Sequence, residues 1–181
     1  MHAFDRNWTL FLDRDGVLNV EKEGDYVRCW EEFMFLPKVL DALAILKEVF
    51  GRIIVVTNQR GVGRGLMTMA DLNHIHQRMK AVIKASGGRI DAIYACTALE
   101  NDAPCRKPNP GMAHQAKRDF PEIEFHRSVM VGNSESDMLF GRSLGMHTVW
   151  ISTKSPLPSP PDLADEIHES LWAWALSLQG R

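Results

Sequence analysis

Short apolar runs recur along the chain, each separated from the next by a stretch whose apolar positions fall at helical spacing. The runs are Trp8–Leu12, Ile53–Val56, Ile90–Ala95, Val129–Val131 and Thr148–Ile151. Continuous rather than alternating, they read as five strands buried on both faces. Between them the spacing predicts helices over about Pro37–Phe50, Met69–Ser86, Pro110–Arg118 and Ser134–Leu144. Thr68, Asn109 and Asn133 are candidate caps, and Gly51, Gly87 and Gly145 stand at the far ends. Strand alternating with helix predicts an α/β protein with a doubly wound, three-layer, Rossmann-like parallel sheet. Such sheets bind ligands at the carboxyl ends of their strands, so the residues that follow each run are the first place to look for chemistry.

Beyond Thr153 the pattern changes. Lys154–Pro161 is proline-rich and reads as a stiff connector, because proline cannot continue a helix or a central strand. Leu163, Ile167, Leu171, Trp174 and Leu178 then recur at helical spacing and predict a tail helix docked on the protein's own body, with dimerisation the lesser alternative. The expected organisation is a domain over residues 1–155, then a connector and C-terminal helix over 156–181, in a monomer or weak homodimer.

Composition narrows the function. The 181 residues are 45% apolar and 24% charged, enough for one core without metal or disulfide staples. Lys and Arg number 21 against 23 Asp and Glu, so no broad field favours nucleic acid or an anionic membrane. No apolar run approaches the ~20 residues that span a bilayer, and the N-terminus lacks a basic flank before an apolar stretch, so a cytoplasmic protein with no membrane partner is expected. Three cysteines, Cys29, Cys96 and Cys105, do not make a secreted disulfide framework.

Four polar segments follow the predicted strands. Asp13-Arg14-Asp15-Gly16 sets two carboxylates two positions apart, able to share a divalent cation or to divide nucleophile and acid/base roles. Thr57-Asn58-Gln59 leads into Arg60-Gly61-Val62-Gly63-Arg64-Gly65, a glycine-rich basic loop suited to phosphate oxygens but lacking the nucleotide P-loop spacing. Cys105-Arg106-Lys107-Pro108-Asn109-Pro110-Gly111 holds two cations in a proline-stiffened turn, suited to a dianion beside a charged nucleophile. Val131-Gly132-Asn133-Ser134-Glu135-Ser136-Asp137 lets Asn133 face the site with Asp137 a turn below. Each segment alone is an ordinary turn, solvated loop or helix cap. Their joint occurrence at one sheet edge is what points to catalysis.

These motifs resemble the haloacid dehalogenase-type phosphatases. Phe-Leu-Asp13-Arg-Asp15-Gly-Val, Thr57-Asn58, Lys107 and Gly132 through Asp137 are similar to the four family motifs in order. The longer strings Asp13 to Asn19, Thr57 to Gly65 and Cys105 to Met112 are similar to those of the heptose 1,7-bisphosphate and histidinol-phosphate phosphatases, over about residues 8 to 153. The resemblance implies a phosphomonoesterase acting on a small phosphate ester, a sugar phosphate such as heptose 1,7-bisphosphate first and histidinol phosphate second. It implies that Asp13 attacks phosphorus to form an aspartyl-phosphate, that Asp15 serves as acid then base, and that Thr57 and Lys107 bind the phosphoryl group. Asn58, Arg64 and Arg106 become candidate substrate contacts. Mg²⁺ is implied at Asp13, the Asp15 backbone, Asn133 and Asp137. No insertion is long enough for a cap domain, so a capless form is expected.

Two departures matter. The fourth motif usually supplies an aspartate where this chain has Asn133, so a weaker cation site is expected, with Asp137 compensating in part; a phosphatase-like binding or regulatory protein is the alternative from another functional class. Relatives of this type usually close a zinc site with Cys-x-His and Cys-x-Cys, whereas here Cys96-Thr97-Ala98 and Ala103-Pro104-Cys105 lack two ligands. No zinc is expected, and Cys96 and Cys105 are expected as small, partly buried thiols. His74, His76, His114, His126 and His147 read as solvated or packed rather than as ligands.

Overall fold

The computed structural model describes residues 4–153 and 161–179. Six strands form one parallel sheet: β1 (Thr9–Leu12), β2 (Arg52–Asn58), β3 (Ala92–Cys96), β4 (Ser128–Gly132), β5 (His147–Ile151) and β6 (Glu166–His168), in the order β3-β2-β1-β4-β5-β6. The chain starts at the middle of the sheet, builds outward through β2 and β3, then returns to the other side of β1 through β4. That reversal opens a crevice between β1 and β4, where a doubly wound sheet binds its ligand.

Alternation along the strands feeds two separate cores. Leu10, Leu12, Ile53 and Val55 pack on one face against α1 (Val39–Val49), α3 (Met69–Ala85) and α6 (Leu171–Gln179). Phe11, Ile54, Val56 and Met130 pack on the other against α4 (Gly111–Asp119) and Phe140 of α5 (Glu135–Ser143). With both faces covered, successive strand residues must all be apolar, and that produced the unbroken runs. The elements between Gly16 and Thr57, and between Thr57 and Lys107, belong to the sheet and its covering layers, so the fold is capless. No helix among the described residues is long and apolar enough to cross a membrane.

Several expectations need correction. The basic loop after β2 contains a short helix, α2 (Arg60–Gly63). Pro110 and Ser134, rather than Asn109 and Asn133, occupy the N-cap positions of α4 and α5. The predicted tail helix is interrupted: Pro161–Leu163 is a 3₁₀ turn, Glu166–His168 is the sixth strand, and only Leu171–Gln179 is helical. Pairing with β5 wins there, because Glu166, Ile167 and His168 register with Val149, Trp150 and Ile151. Glu166 also meets the rings of His147 and His168 at 3.0 and 2.9 Å, giving His147 a partner the sequence did not suggest. The connector expected over Lys154–Pro161 lies outside the described residues up to position 160. Trp174 and Leu171 are buried in the core that α1 shares.

Candidate active site

β1 hands the chain directly into the site. Asp13 N donates to Val131 O on β4 at 3.0 Å, so the first carboxylate emerges in the crevice itself. The Arg14 carbonyl then accepts from the amides of Val17, Leu18 and Asn19, turning the chain sharply. Gly16 sits at φ 82°, and a Cβ there would fall 1.9 Å from Asn133 Nδ2, so this position requires glycine for conformation and for space.

Lys107 is the centre of the charge arrangement. Its Nζ donates to Asp13 Oδ1 at 2.9 Å, to Asp137 Oδ1 at 2.7 Å and to Val56 O at 2.8 Å, satisfying all three protons in a site where the lysine is only 4% exposed. Burial works against its charge, but the two carboxylates outweigh this and hold its pKa above the ordinary lysine value. For Asp13, burial and the nearby Asp137 charge outweigh Lys107 and push the carboxyl up to about 7. Asp15 behaves oppositely. Burial raises it, but the Arg14 charge and hydrogen bonds from Asn19, Arg14 and Gln59 hold it below the usual carboxylate range. Two carboxylates two residues apart thus differ in ease of ionisation because their neighbours differ.

Asp137, expected among the cation ligands, has both carboxylate oxygens in hydrogen bonds within the protein. Its Oδ1 takes Lys107, and its Oδ2 accepts from the amides of Asn133 and Ser134 and from Ser134 Oγ. Both oxygens are engaged in a 1% exposed residue that caps α5 and balances Lys107. A Cβ at Gly132 would fall 2.2 Å from Asp137 Cβ, which explains the glycine that ends β4.

The remaining expected residues divide. Asn58 clamps the lysine-bearing turn: its Oδ1 accepts from Lys107 N at 3.1 Å and its Nδ2 donates to Lys107 O at 3.3 Å. Thr57 is buried and accepts from Gln59 Nε2 at 2.8 Å. Arg64 and Arg106 stand further out, beside Arg60 and Tyr26. Burial and then the Arg60 charge lower the Arg106 pKa, and its Nη1 is a buried donor with no partner among the described residues. The Arg64 guanidinium lies 5.7 Å from the Tyr26 ring centre. These cations form a basic rim beside the 170 Å³ cavity that contains Asp13, Asp15 and Lys107.

Sequence reasoning missed four residues. Gln59 bridges Thr57 and Asp15, donating to Asp15 Oδ2 at 2.8 Å; its position two residues beyond Thr57 was the available signal. Arg14 is fully buried, with Nη2 donating to Asp15 Oδ1 at 2.9 Å and Nη1 lying 3.1 Å from His76 Nε2. Since guanidinium only donates, that His76 nitrogen is the acceptor. Burial, then the Arg14 charge, lower His76 to about 3, which keeps it neutral. Glu21 enters the same cavity from the loop after Gly16. No local pattern signalled Arg14, His76 or Glu21.

The thiol expectation is overturned. Cys96, at the end of β3, and Cys105, just before Arg106, are joined as a disulfide with their Cα atoms 5.4 Å apart. Their nine-residue separation closes the loop beside the lysine turn.

The site would suit a hard divalent cation through oxygen donors alone: the Asp13 carboxylate, the Asp15 backbone carbonyl and Asn133 Oδ1, to which no described residue donates a hydrogen bond.

Comparison with known proteins agrees with this geometry. Residues 1–148 match the family model described as polynucleotide kinase 3 phosphatase. A Mycobacterium bovis protein named D-glycero-alpha-D-manno-heptose-1,7-bisphosphate 7-phosphatase is 37% identical over 173 residues, covering 94% of this chain and 91% of its own. A Helicobacter pylori protein named for the beta anomer is 35% identical over 156 residues, covering 85% and 88%. The crystal structure of a B. bronchiseptica D,D-heptose 1,7-bisphosphate phosphatase complexed with magnesium and phosphate superposes with a TM-score of 0.83 at 30% identity, covering 96% of this chain and 98% of that one. By sequence, fold and the convergence of Asp13, Asp15 and Lys107 at the sheet's switch point, the chain belongs to the haloacid dehalogenase-type phosphatases, in the family that this model and these relatives define.

Proposed function

We propose that this phosphatase removes one phosphate from a heptose 1,7-bisphosphate, with Asp13 as nucleophile and Mg²⁺ as cofactor. The observation that carries the reading is the Lys107 ammonium held between Asp13 and Asp137 at 2.9 and 2.7 Å, a buried cation beside a carboxylate that opens onto the cavity. One Asp13 oxygen attacks phosphorus as the ester P–O bond breaks, and Asp15 gives a proton to the departing oxygen. An incoming phosphate dianion raises the cost of the Asp15 charge, which favours uptake of that proton. Asp15, again a carboxylate, then takes a proton from the water that attacks the aspartyl-phosphate, releasing inorganic phosphate and freeing Asp13. Lys107 offsets charge on the phosphoryl oxygens, Thr57 and Gln59 keep Asp15 aligned, and Asn58 holds the Lys107 backbone. Bound at Asp13, the Asp15 carbonyl and Asn133, Mg²⁺ supplies the charge that favours ionised Asp13 and screens it from the phosphate. Asp137 is assigned to Lys107 as its counter-ion rather than to the metal.

A bisphosphate suits the outer rim. Arg60, Arg64 and Arg106 crowd beside Tyr26, and the unpartnered Arg106 Nη1 is a donor awaiting an anion, which the second phosphate provides. The test is phosphate release, with Mg²⁺, from both anomers of D-glycero-D-manno-heptose 1,7-bisphosphate, from histidinol phosphate and from simple sugar monophosphates. One bisphosphate anomer should lead in kcat/KM, with release abolished in Asp13→Asn. Preference for histidinol phosphate would replace the proposed substrate, and release that persists in Asp13→Asn would overturn the mechanism.

A further inference from the structure

An asparagine at a cation site carries a problem that an aspartate does not. Either oxygen of a carboxylate can face a cation, but a primary amide can do so only one way, since turned over it presents two protons. Something must hold the amide of Asn133 in place. Its Nδ2 lies 3.3 Å from Thr153 Oγ1 and 3.4 Å from Glu21 Oε2. The single hydroxyl proton of Thr153 is donated to Gly16 O at 2.8 Å, so toward Asn133 this hydroxyl only accepts. The Glu21 carboxylate also only accepts. Both neighbours on that side therefore require a donor, and turning the amide would set Oδ1 against two lone-pair-bearing oxygens while losing both contacts. The backbone is pinned as well, with Asn133 N donating to Asp137 Oδ2 at 3.1 Å in a residue 4% exposed. With Nδ2 so held, Oδ1 is the end left for the cavity that Asn133 shares with Asp13, Asp15 and Glu21.

We propose that Glu21 and Thr153 are positioning residues that orient the Asn133 amide, carbonyl oxygen toward the cation, and that Glu21 restores one side chain further out the negative charge an amide lacks. This rests on the reading of the site as cation-dependent. Partners of this kind, behind a metal ligand, fix its orientation and typically contribute 10- to 100-fold in metal affinity.

The test measures cation binding without substrate, by Mg²⁺ calorimetry and by electron paramagnetic resonance of Mn²⁺, on the full chain. Glu21→Gln should weaken binding about tenfold or more, and Thr153→Val by several-fold, with the fold in chelator retained by circular dichroism because Glu21 lines the open cavity and Thr153 is exposed. The decisive arm is Asn133→Asp. A carboxylate needs no orienting and sits beside Glu21 as a like charge, so Glu21→Gln in that background should leave binding unchanged or tighten it. An equal loss in both backgrounds overturns the orienting role, as do unchanged binding in both single variants and a wild-type chain that binds neither cation. Failure here is distinguishable from failure of the proposed function. Asp13-dependent phosphate release with no Glu21 effect rejects only the orienting role. The predicted binding pattern without Asp13-dependent release rejects only the reaction.

Discussion

The two ends of the sheet both carry charged cavities, and they differ in what the charges experience. At the amino end a cavity of about 330 Å³ is lined by Arg6, Arg52, Glu122 and Arg127, among others, and nearby ion pairs such as Arg6–Glu48 leave each side chain 62% exposed. At the carboxyl end the cavity is smaller, about 170 Å³, but the side chains of Lys107, Asp13 and Asp137 are 2%, 13% and 1% exposed. Exposed pairs of this kind are screened by water and contribute little. Buried charges in unequal numbers interact strongly and displace one another's protonation, the condition that chemistry requires. Desolvation, rather than cavity size, distinguishes the working end.

Five variants probe that contrast, the largest effect first. Asp13→Asn should lower phosphate release by about 10³-fold or more, since the amide is a poor nucleophile, while the fold persists by circular dichroism. Lys107→Met leaves Asp13 and Asp137 buried without their cation, and denaturant titration should show a loss of about 3–5 kcal/mol. A loss below about 1 kcal/mol would mean the carboxyl end resembles the amino end after all. Replacing Cys96 and Cys105 together by Ser should reduce stability by about 2–3 kcal/mol for a loop this short, with no further change on adding reductant.

His76 ranks next. Its folded pKa of about 3 lies below the ordinary 6.5, so the unfolded chain takes up the proton first. Its contribution is complete above about pH 6.5 and is lost as pH falls toward 3, at about 1.4 kcal/mol per pH unit. Between pH 6.5 and 5 that is about 2 kcal/mol, and His76→Gln, which keeps an acceptor for Arg14, should flatten this part of the stability profile. Arg6→Ala at the amino end should change stability by less than about 1 kcal/mol. A larger change there would undo the comparison.

Much of the architecture was legible because its cause is local. Ile53–Val56 and Val129–Val131 read as strands because both faces of each are covered, and Met69–Ser86 read as a helix from its apolar spacing, with the candidate cap Thr68 found bonded reciprocally to Asp71. Asp13, Asp15, Thr57 and Asn133 stood out as candidates because a doubly wound sheet places its ligands where strands end, and Lys107 because a proline-stiffened turn carries its charge. Strand β6 was hidden, since Glu166–His168 has no apolar run and is made a strand only by β5. The disulfide, the Arg14–His76 contact, the Gln59–Asp15 bond and the Glu21–Asn133 contact join residues 9, 62, 44 and 112 positions apart.

The sequence by itself thus determined the order of the first five strands and their main helices, the sheet edge that matters and the residue types gathered there, because hydrophobic period and strand-end position are properties of neighbouring residues. Tertiary structure alone decided which carboxylate ionises readily, that Asp137 meets Lys107, and which side chains surround the Asn133 amide. Those outcomes depend on burial and on partners from distant strands, and burial does not exist until the chain has folded.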